Sequence, residues 1–363
     1  MSKIADFFKN IFQEKTPIIK ENTFFIWEPC SKSHAEVVPG FARYLLDLGY
    51  HVSILVEPDR LKEGLFDRFG EENISYNFMT RKQIEKYFKN NTLENVAGVL
   101  VTTVGKICDS VDFDQAYNFF AKADKNKLFF VEHEAKPATD NGTWNENIIT
   151  LRKLNYKNSK SVVVNPHYFG KIEKKPKNEI TNFVVVGKFS ASKKDTSLIV
   201  HSATELVKNG FENFKITVIG KGDLDCVPNE IKKFIDIKGR LSFSDMYNEI
   251  EKADFMLTAY DETKEEHLGY ITSSTSGCFQ LVYGFLKPCV IIRSFSAING
   301  LDDGNSVIYE NNDEFYNALV KCIQMTEGEY EQKRQYLSQY VDYLYNCSKE
   351  NFKNLIIKQK GSL

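Results

Sequence analysis

The sequence predicts an α/β fold in which two doubly wound, Rossmann-like domains of parallel strands face each other across a cleft. Short apolar runs alternate with helical segments, which is typical of a parallel sheet covered by helices. A chain of 363 residues is long enough for two domains that each bury a core. A charged, proline-containing stretch at residues 171–179 interrupts the alternation and is expected to be the linker.

We expect three parts along the chain. Residues 1–170 are predicted to form the first domain, residues 171–340 the second, and residues 341–363 a helix that returns to the first domain. This last helix is rich in tyrosine and phenylalanine, as expected of a helix that packs across two domains. Two such domains leave a cleft between the carboxyl-terminal edges of their sheets, where a ligand is expected.

The composition excludes several classes of function. The net charge is −2 and the isoelectric point is near 6.4, so no basic field points to nucleic acid. The seven cysteines are scattered without a CxxC pair, which favours a reduced cytoplasmic protein over a disulfide framework or a zinc site. The sequence has no apolar run long enough to span a bilayer and no signal-peptide core at its N-terminus. We therefore expect a cytoplasmic protein.

An amphipathic helix is predicted at the N-terminus. Apolar residues have helical spacing there, with lysines between them: Ile4, Phe7, Phe8, Ile11 and Phe12. Such a helix can lie on the inner face of the cell membrane, which would make the protein peripheral. The same apolar stripe can instead pack on the protein's own body or on a second subunit, as in a homodimer.

The first half begins with a βαβ unit. The run FFIWEP is a strand, residues 33–48 are a helix interrupted near Pro39 and Gly40, and HVSILVE is the next strand. Further strands are expected at residues 74–78, 98–102, 128–132 and 161–164.

Polar side chains follow two of these strands. Glu132, His133 and Glu134 come after the apolar run LFFV, and Asn165 and His167 follow SVVV. Open α/β sheets bind ligands at such strand ends. A histidine in a loop is more often a structural hydrogen-bonding residue than a catalytic one, but its position makes His133 a candidate site residue.

The second half repeats the alternation. Strands are expected at NFVVV, FKITVI, FIDI, DFMLTAY, CVII and SVIYE. Helices are expected at residues 197–210, 244–253, 277–286, 313–325 and 327–357.

Three polar loops of the second half lie at the carboxyl ends of strands. They are GKFSASKKD, GKGD and TSSTSG, the last of which starts a helix. Positive charge comes from Lys188 and Lys193, and hydroxyls and free backbone N–H groups come from the helix start. Together these groups can bind a diphosphate. The alternative is a capped helix without a ligand, since serine and threonine are the usual capping residues.

These motifs are similar to those of the GT-B glycosyltransferases, and most of all to their large retaining group, family 4. VGKFSASKK resembles that family's VGRL…K, VIGKGD resembles VGDG, QLVYGFLKPCVI resembles LEAMACGKPVV, and DGNSVIYE resembles DGENGLLV. The order of the motifs matches through the second half. In the first half, SHAEVVPGFARYLLDLGYHVSIL is more loosely similar to GGAERVVLELARALAKRGHEVTVL.

The resemblance implies roles for several residues. His133 corresponds to the family's histidine in the catalytic cleft and is expected to orient the donor sugar. The residues expected at the donor diphosphate are Lys188, Lys193, Thr275, Ser276 and Gly277. Those expected at the nucleotide are Gly187, Gly220, Gly222, Arg240 and Leu241, and those expected on the acceptor side are His34 and Glu36.

One departure concerns the family's paired glutamates, which contact the donor sugar and the nucleotide ribose. The aligned positions carry Ser273 and Leu281, neither of which is acidic. Glu266, or its neighbour Glu265, is expected to replace the first glutamate as a catalytic residue. No residue replaces the second glutamate, so the sequence does not identify the donor.

The resemblance implies a metal-independent glycosyltransferase that moves a hexosyl group from a nucleoside-diphosphate sugar to a glycan or lipid-linked glycan. A UDP-sugar is the expected donor, no cofactor is needed, and bacterial surface polysaccharide synthesis is the implied process. Two alternatives stay open. The chain can be an inactive GT-B-shaped binding or scaffold subunit, which the missing glutamates favour, or a nucleotide-sugar epimerase.

Overall fold

The computed structural model describes residues 15–30, 34–70, 72–108, 112–189, 196–222 and 227–361. The predicted N-terminal helix and the predicted site residue Lys193 lie outside these described residues. Within them the chain forms two sheets of parallel strands, which confirms the predicted α/β fold class.

The first sheet has five strands and a short parallel pair beside it. The strands are β1 (Thr23–Trp27), β2 (His51–Leu55), β3 (Ile74–Tyr76), β4 (Gly98–Val101) and β5 (Leu128–Phe130), and the pair is β6 (Ile149–Thr150) with β7 (Val162–Val163). The spatial order in the sheet is β3-β2-β1-β4-β5. Val131, which follows β5, bridges Ile149 of β6.

Helices cover both faces of the first sheet. They are α1 (Val38–Asp47), α2 (Pro58–Lys62), α3 (Arg81–Asn90), α4 (Phe113–Phe119) and α5 (Lys136–Asp140), with 3-10 turns at Ala35–Val37, Val104–Lys106 and Lys125–Lys127. Alternate side chains of β1 enter two different cores. Phe24 and Ile26 pack with α1, whereas Phe25 and Trp27 pack with α3 and α4. This alternation makes the sheet doubly wound.

The second sheet has six strands in the order β10-β9-β8-β11-β12-β13. They are β8 (Thr181–Val186), β9 (Phe214–Ile219), β10 (Ile235–Gly239), β11 (Phe255–Leu257), β12 (Cys289–Ile292) and β13 (Val307–Tyr309). The helices are α6 (Thr196–Lys208), α7 (Phe243–Lys252), α8 (Glu265–Thr272), α9 (Cys278–Gly284), α10 (Arg293–Ser296), α11 (Phe315–Gln324) and α12 (Glu327–Lys360). Shorter 3-10 segments occupy Asn229–Phe234, Ala297–Asn299 and Asn312–Glu314.

The start of α1 differs from the prediction. The helix expected at residues 33–48 is not interrupted near Pro39. A 3-10 turn precedes α1, and Pro39 lies in the first turn of α1 itself. Proline is favoured there because the first N–H groups of a helix have no partner within it. Only glycine fits at position 40, because the backbone of Pro166 packs against it and a Cβ atom there would lie 2.3 Å from the carbonyl carbon of Pro166.

Helix α12 crosses both domains, as predicted. Thr326 and Glu329 form a capping box at its start. Leu337 packs in the core of the second sheet, and Phe352 packs in the core of the first. Although α12 has 34 residues, neither it nor any other helix of the described residues combines the length and apolarity that crossing a bilayer requires. The predicted domain limits at residues 170 and 340 stay predictions.

Candidate active site

Each sheet has one point at which the order of its strands reverses. In the first sheet this point lies between β1 and β4, and in the second between β8 and β11. The crevice outside the carboxyl ends of the strands at such a point is where open α/β sheets bind ligands. Glu28 and Thr102 follow the first pair of strands, and Gly187 and Thr258 follow the second pair.

Glu28 is a buried carboxylate at the reversal point of the first sheet, and its side chain is only 3% exposed. It accepts hydrogen bonds from Thr102 Oγ1 at 2.6 Å, from Thr103 Oγ1 at 2.8 Å and from the backbone N–H of Cys30. Burial raises the pKa of Glu28, and these hydrogen bonds oppose the rise. Glu28 therefore fixes the loops that follow β1 and β4. Glu28 is not among the site residues predicted from the sequence.

His133 lies beside this network. Its Nε2 is 2.9 Å from the carbonyl oxygen of Thr102, which can only accept, so Nε2 carries a proton and Nδ1 is left to face a ligand. The ring centroid of His34 is 4.5 Å from that of His133. Burial lowers the pKa of His34 to about 3, and the nearby His133 and Lys106 act in the same direction. His34 is therefore a neutral imidazole at physiological pH.

The polar residues next to these histidines have structural partners. Glu132 accepts hydrogen bonds from the backbone N–H groups of Gly105 at 3.1 Å and of His133 at 2.8 Å, so it shapes the turn. His167 is 3% exposed, and its Nδ1 lies 3.0 Å from the carbonyl oxygen of Asn165. Burial lowers the pKa of His167 to about 4. His167 is thus a core residue.

The segment before α9 pairs with the first domain. The backbone N–H of Thr275 donates to the carbonyl oxygen of His133 at 3.0 Å, and the N–H of Ala135 donates to Ser273 O at 2.7 Å. Arg152, which is 8% exposed, donates from one nitrogen to the carbonyl oxygens of Tyr270 at 2.6 Å and Ser274 at 2.7 Å. Burial lowers the pKa of Arg152 to about 10. These bonds bring the predicted diphosphate loop against the predicted catalytic histidine.

Within this loop, the predicted residues Thr275, Ser276 and Gly277 each have a partner in the structure. The Ser276 hydroxyl accepts a hydrogen bond from Tyr260 OH at 2.5 Å, and Thr275 Oγ1 lies 3.4 Å from the carbonyl oxygen of His133. A Cβ atom built on Gly277 would lie 3.1 Å from Glu36 Oε1, so the Glu36 carboxyl reaches across to the start of α9. Helix α9 itself has seven residues.

The glycine turns after β8 and β9 pack directly on each other. Gly187 N donates to Ile219 O at 2.9 Å, and Phe189 N donates to Lys221 O at 2.8 Å. A Cβ atom on Gly220 would lie 1.9 Å from Gly187 O, so only glycine fits there. Lys188 is exposed on this turn. Gly222 lies beside the same turn, since a Cβ atom there would lie 2.8 Å from Phe189 Cβ.

Arg240 and Leu241, expected at the nucleotide, lie after β10 at the boundary between the domains. Both terminal nitrogens of Arg240 donate to the Glu63 carboxylate of the first domain, at 3.0 and 2.8 Å. Leu241 is partly buried against the second core. Arg240 thus links the domains in this structure.

Glu266 and Glu265 are exposed in the first turn of α8. Carboxylates at a helix N-terminus are favoured by the helix dipole. Among the described residues, neither forms a hydrogen bond or ion pair with His133, Lys188 or the loop before α9. The proposed catalytic role of Glu266 stays a prediction.

The two sides of the cleft carry different chemistry. The first domain contributes neutral imidazole and carboxyl groups, which can donate to and accept from hydroxyls. The second contributes close-packed glycine turns and the exposed cation Lys188, which are groups that bind phosphate. The arrangement can therefore hold a ligand that has an anionic part and a hydroxylic part.

The overall fold is similar to several solved structures. A glycosyltransferase from Rickettsia africae ESF-5 matches with a TM-score of 0.55 and 14% identity, over 94% of this chain and 98% of that chain. AviGT4, a glycosyltransferase involved in avilamycin A biosynthesis, matches with a TM-score of 0.54 and 12% identity, over 93% and 98% of the two chains. A mutant of TarM from S. aureus has a TM-score of 0.51 and 12% identity, over 76% of this chain and 58% of that chain.

At these identities the comparison shows the fold alone. No protein-family model and no curated protein matches the sequence. The chain has the GT-B fold, the fold of the glycosyltransferases to which it is similar, and this confirms the predicted GT-B architecture. Its assignment to the retaining family 4 stays a prediction.

The ionisation of Glu36 is expected to make folding stability fall as pH rises. Burial raises the pKa of Glu36 from its ordinary 4.5 to about 8, so the folded chain holds this proton more tightly than the unfolded chain. Its contribution is complete below pH 4.5 and is lost as pH rises through 8. The pKa of His34 is lowered from its ordinary 6.5 to about 3, so its titration makes stability rise with pH, and it does so only below pH 6.5.

Between pH 6.5 and 8, therefore, the ionisation of Glu36 is expected to change the free energy of unfolding, whereas the ionisation of His34 is not. We expect Glu36→Gln to remove a decline in the free energy of unfolding that the parent protein shows across this window, measured by urea titration. Glu21→Gln, at an exposed site, is the control and should keep the parent slope. If the free energy of unfolding changes with pH in the same way in the parent and in Glu36→Gln, the raised pKa of Glu36 is contradicted.

Proposed function

We propose that the protein transfers a sugar from a nucleoside-diphosphate donor to a hydroxyl acceptor in the interdomain cleft. The observation that carries this proposal is the contact between two chemically different sides of the cleft. Glu36 and His133 of the first domain lie against the loop before α9, in the same domain as the glycine turns and Lys188. His34 packs on the ring of His133. The GT-B fold supports the proposal, because similar solved structures are glycosyltransferases.

The proposed donor is a UDP-hexose, and the proposed reaction is retaining and independent of a metal, as in family 4. Support for uridine comes from the TarM structure, which contains UDP. Positive charge from Lys188 and Lys193, together with backbone N–H groups of the turns, would stabilise the departing diphosphate. This charge would serve the purpose that a metal ion serves in other transferases.

The proposed acceptor is a glycan or lipid-linked glycan, in bacterial surface polysaccharide synthesis on the cytoplasmic side of the membrane. Support comes from the TarM structure, which also contains a GlcNAc-glycerol. We place the acceptor beside His34 and Glu36, because both lie at the turn that starts the helix of the first βαβ unit, and Glu36 reaches the start of α9 in the other domain.

The proposed step breaks the bond between the anomeric carbon and the diphosphate oxygen. The acceptor oxygen forms the new bond to that carbon, and its proton leaves with the diphosphate. His133 orients the donor sugar by accepting a sugar hydroxyl at Nδ1, since Nε2 is held by Thr102. Glu28 acts through Thr102 and Thr103 as a positioning residue for this ring.

The test of this proposal is nucleotide binding. The melting temperature is measured with UDP, GDP, ADP and CDP, each with magnesium and with chelator, because a ligand specific for the folded state raises it. We expect UDP to give the largest rise, in chelator as well as in magnesium. Lys188→Ala is expected to weaken UDP binding by about tenfold, whereas Lys174→Ala, another exposed lysine of the second domain, should not.

A further inference from the structure

A surface groove runs between α12 and residues 300–305, which precede β13. Tyr336, Gln339, Tyr340 and Tyr343 line it from one face of α12, because residues three, four and seven apart share a helix face. The groove has a volume of about 650 Å³. Tyr336 and Tyr343 are 46% and 66% exposed, so their rings are accessible to a ligand. The hydroxyl of Tyr343 has Cys347 as a hydrogen-bond partner.

A second cavity of about 550 Å³ extends this groove toward α11. The two cavities share Asp303, Gly304 and Tyr336, so they form one continuous surface, called here the tyrosine groove. Amide side chains line both parts: Gln339 in the first, and Asn317, Gln324 and Gln332 in the second. Asn305 also lines the first part, but its amide is buried and bonded to Asp302 and Gly300 of its own loop. None of its lining residues belongs to the candidate active site.

The loop wall of the groove is held in place by its own hydrogen bonds. Asp302 Oδ1 accepts from the N–H groups of Gly304 at 2.8 Å and Asn305 at 3.2 Å. Lys333 donates to the carbonyl oxygen of Asp303 at 2.6 Å. A wall that is already ordered loses little conformational entropy when a ligand binds.

The floor of the groove is close-packed at Gly300. This residue has a φ of +64°, and a Cβ atom on it would lie 2.0 Å from the Tyr340 hydroxyl. Tyr340 is therefore fixed by the backbone beneath it, while the more exposed Tyr336 and Tyr343 are available to a ligand. Seven residues of helix place these two rings about 10 Å apart along α12.

The chemistry of the groove fits a polyhydroxylated, uncharged ligand. The faces of tyrosine rings carry partial negative charge and attract C–H groups, as on the flat face of a sugar ring. Amide side chains both donate and accept, which matches hydroxyl groups. The acidic lining residues Asp302, Asp303 and Glu329 are offset by Lys321 and Lys333, so a polyanion or polycation has no strong attraction.

We propose that the tyrosine groove binds a neutral oligosaccharide, as a second glycan site outside the interdomain cleft. The two exposed rings stack on separate sugar units of one chain, and the exposed amide of Gln339 between them binds hydroxyls. Such a site would hold a long acceptor on the enzyme while its end enters the cleft. The binding itself does not depend on the proposed transferase activity.

The test is direct binding of maltohexaose, cellohexaose and chitohexaose, measured by saturation-transfer NMR and affinity electrophoresis. We expect at least one probe to bind the parent protein. Tyr336→Ala and Tyr343→Ala should each weaken that binding roughly threefold to tenfold, and the double variant more than tenfold. Phe78→Ala removes a ring that is 53% exposed in the first domain and is the matched control.

Two further readouts separate this site from the cleft and from misfolding. Tyr343→Trp keeps an aromatic face and should retain binding. The double alanine variant should keep the parent's UDP response, whatever that response is, because the groove shares no residue with the candidate active site. The proposal is overturned if none of the three probes binds the parent protein, or if a bound probe is held equally well by the double variant.

Discussion

Replacing Gly220 with alanine is expected to destabilise the second domain by about 3 kcal/mol or more, the range of severe core mutations. The new Cβ atom would lie 1.9 Å from the carbonyl oxygen of Gly187 and 2.5 Å from its carbonyl carbon. These are backbone atoms, and Gly187 is held by its N–H bond to Ile219 O at 2.9 Å. The turns after β8 and β9 would have to separate, so the candidate phosphate site would be lost with the stability.

This effect is measured by urea unfolding monitored by circular dichroism, with UDP response as a second readout. Gly328→Ala is the control, because Gly328 lies in α12 and a Cβ atom there meets nothing within 4 Å. Alanine is the better helix former, so the control should be neutral or slightly stabilising. A Gly220→Ala protein with the parent's unfolding midpoint would show that the two turns are not packed as described.

The Arg68→Ala variant is expected to lose about 3–5 kcal/mol of stability, the cost of breaking a buried ion pair. Arg68 of the first domain donates to both carboxylate oxygens of Glu251 in the second. Their side chains are only 14% and 7% exposed. The guanidinium also lies 5.6 Å from the ring centre of Tyr247 and 5.7 Å from that of Phe285. Without Arg68, the buried carboxylate loses the cation that donates to both of its oxygens.

The pKa of Glu251 supports this expectation. Burial alone would raise it, but the hydrogen bonds from Arg68 and from the backbone of Glu173 outweigh burial and lower it. Removal of Arg68 therefore leaves the Glu173 N–H and the charge of Lys175 to offset the cost of burying this carboxylate.

The matched control is Arg240→Ala, because Arg240 forms a similar two-bond pair with Glu63 across the same pair of domains. Its side chain is 47% exposed, so water screens the pair and the expected loss is below about 1 kcal/mol. Both variants are compared by urea unfolding at low and moderate salt. Equal losses from Arg68→Ala and Arg240→Ala would contradict the expectation that burial makes the Arg68–Glu251 pair the stronger of the two.

The strands and their parallel arrangement could be predicted from local patterns. Apolar runs such as FFIW, ITVI and CVII are bounded by polar or glycine residues, and helical segments separate them. Some elements could not be predicted in this way, among them β6, α8 and the four-residue α10. Strand β6 has only two residues, and helix α8 lies in KEEHLGYIT, where the apolar residues do not form a clear stripe.

The candidate site could be predicted only in part. The glycine turns at Gly187 and Gly220 carry a local signal, because glycine after a strand marks close backbone approach. The sequence signal of Glu28 is weaker, because it is only a single acidic residue after an apolar strand. Its role in the site depends on β1 lying next to β4, which the sequence does not show. Arg152 has no local sequence signal, because its partners are backbone carbonyl groups more than a hundred residues away along the chain.

The binding of UDP to the parent protein, measured by melting temperature and by titration calorimetry in chelator, decides whether the cleft is a donor site. The account predicts saturable, metal-independent binding that stabilises the fold by about 2.7 kcal/mol at a hundredfold excess over Kd, and that Lys188→Ala weakens. If neither UDP nor another nucleoside diphosphate binds, the cleft is not a donor site, and the protein is an inactive GT-B-shaped subunit.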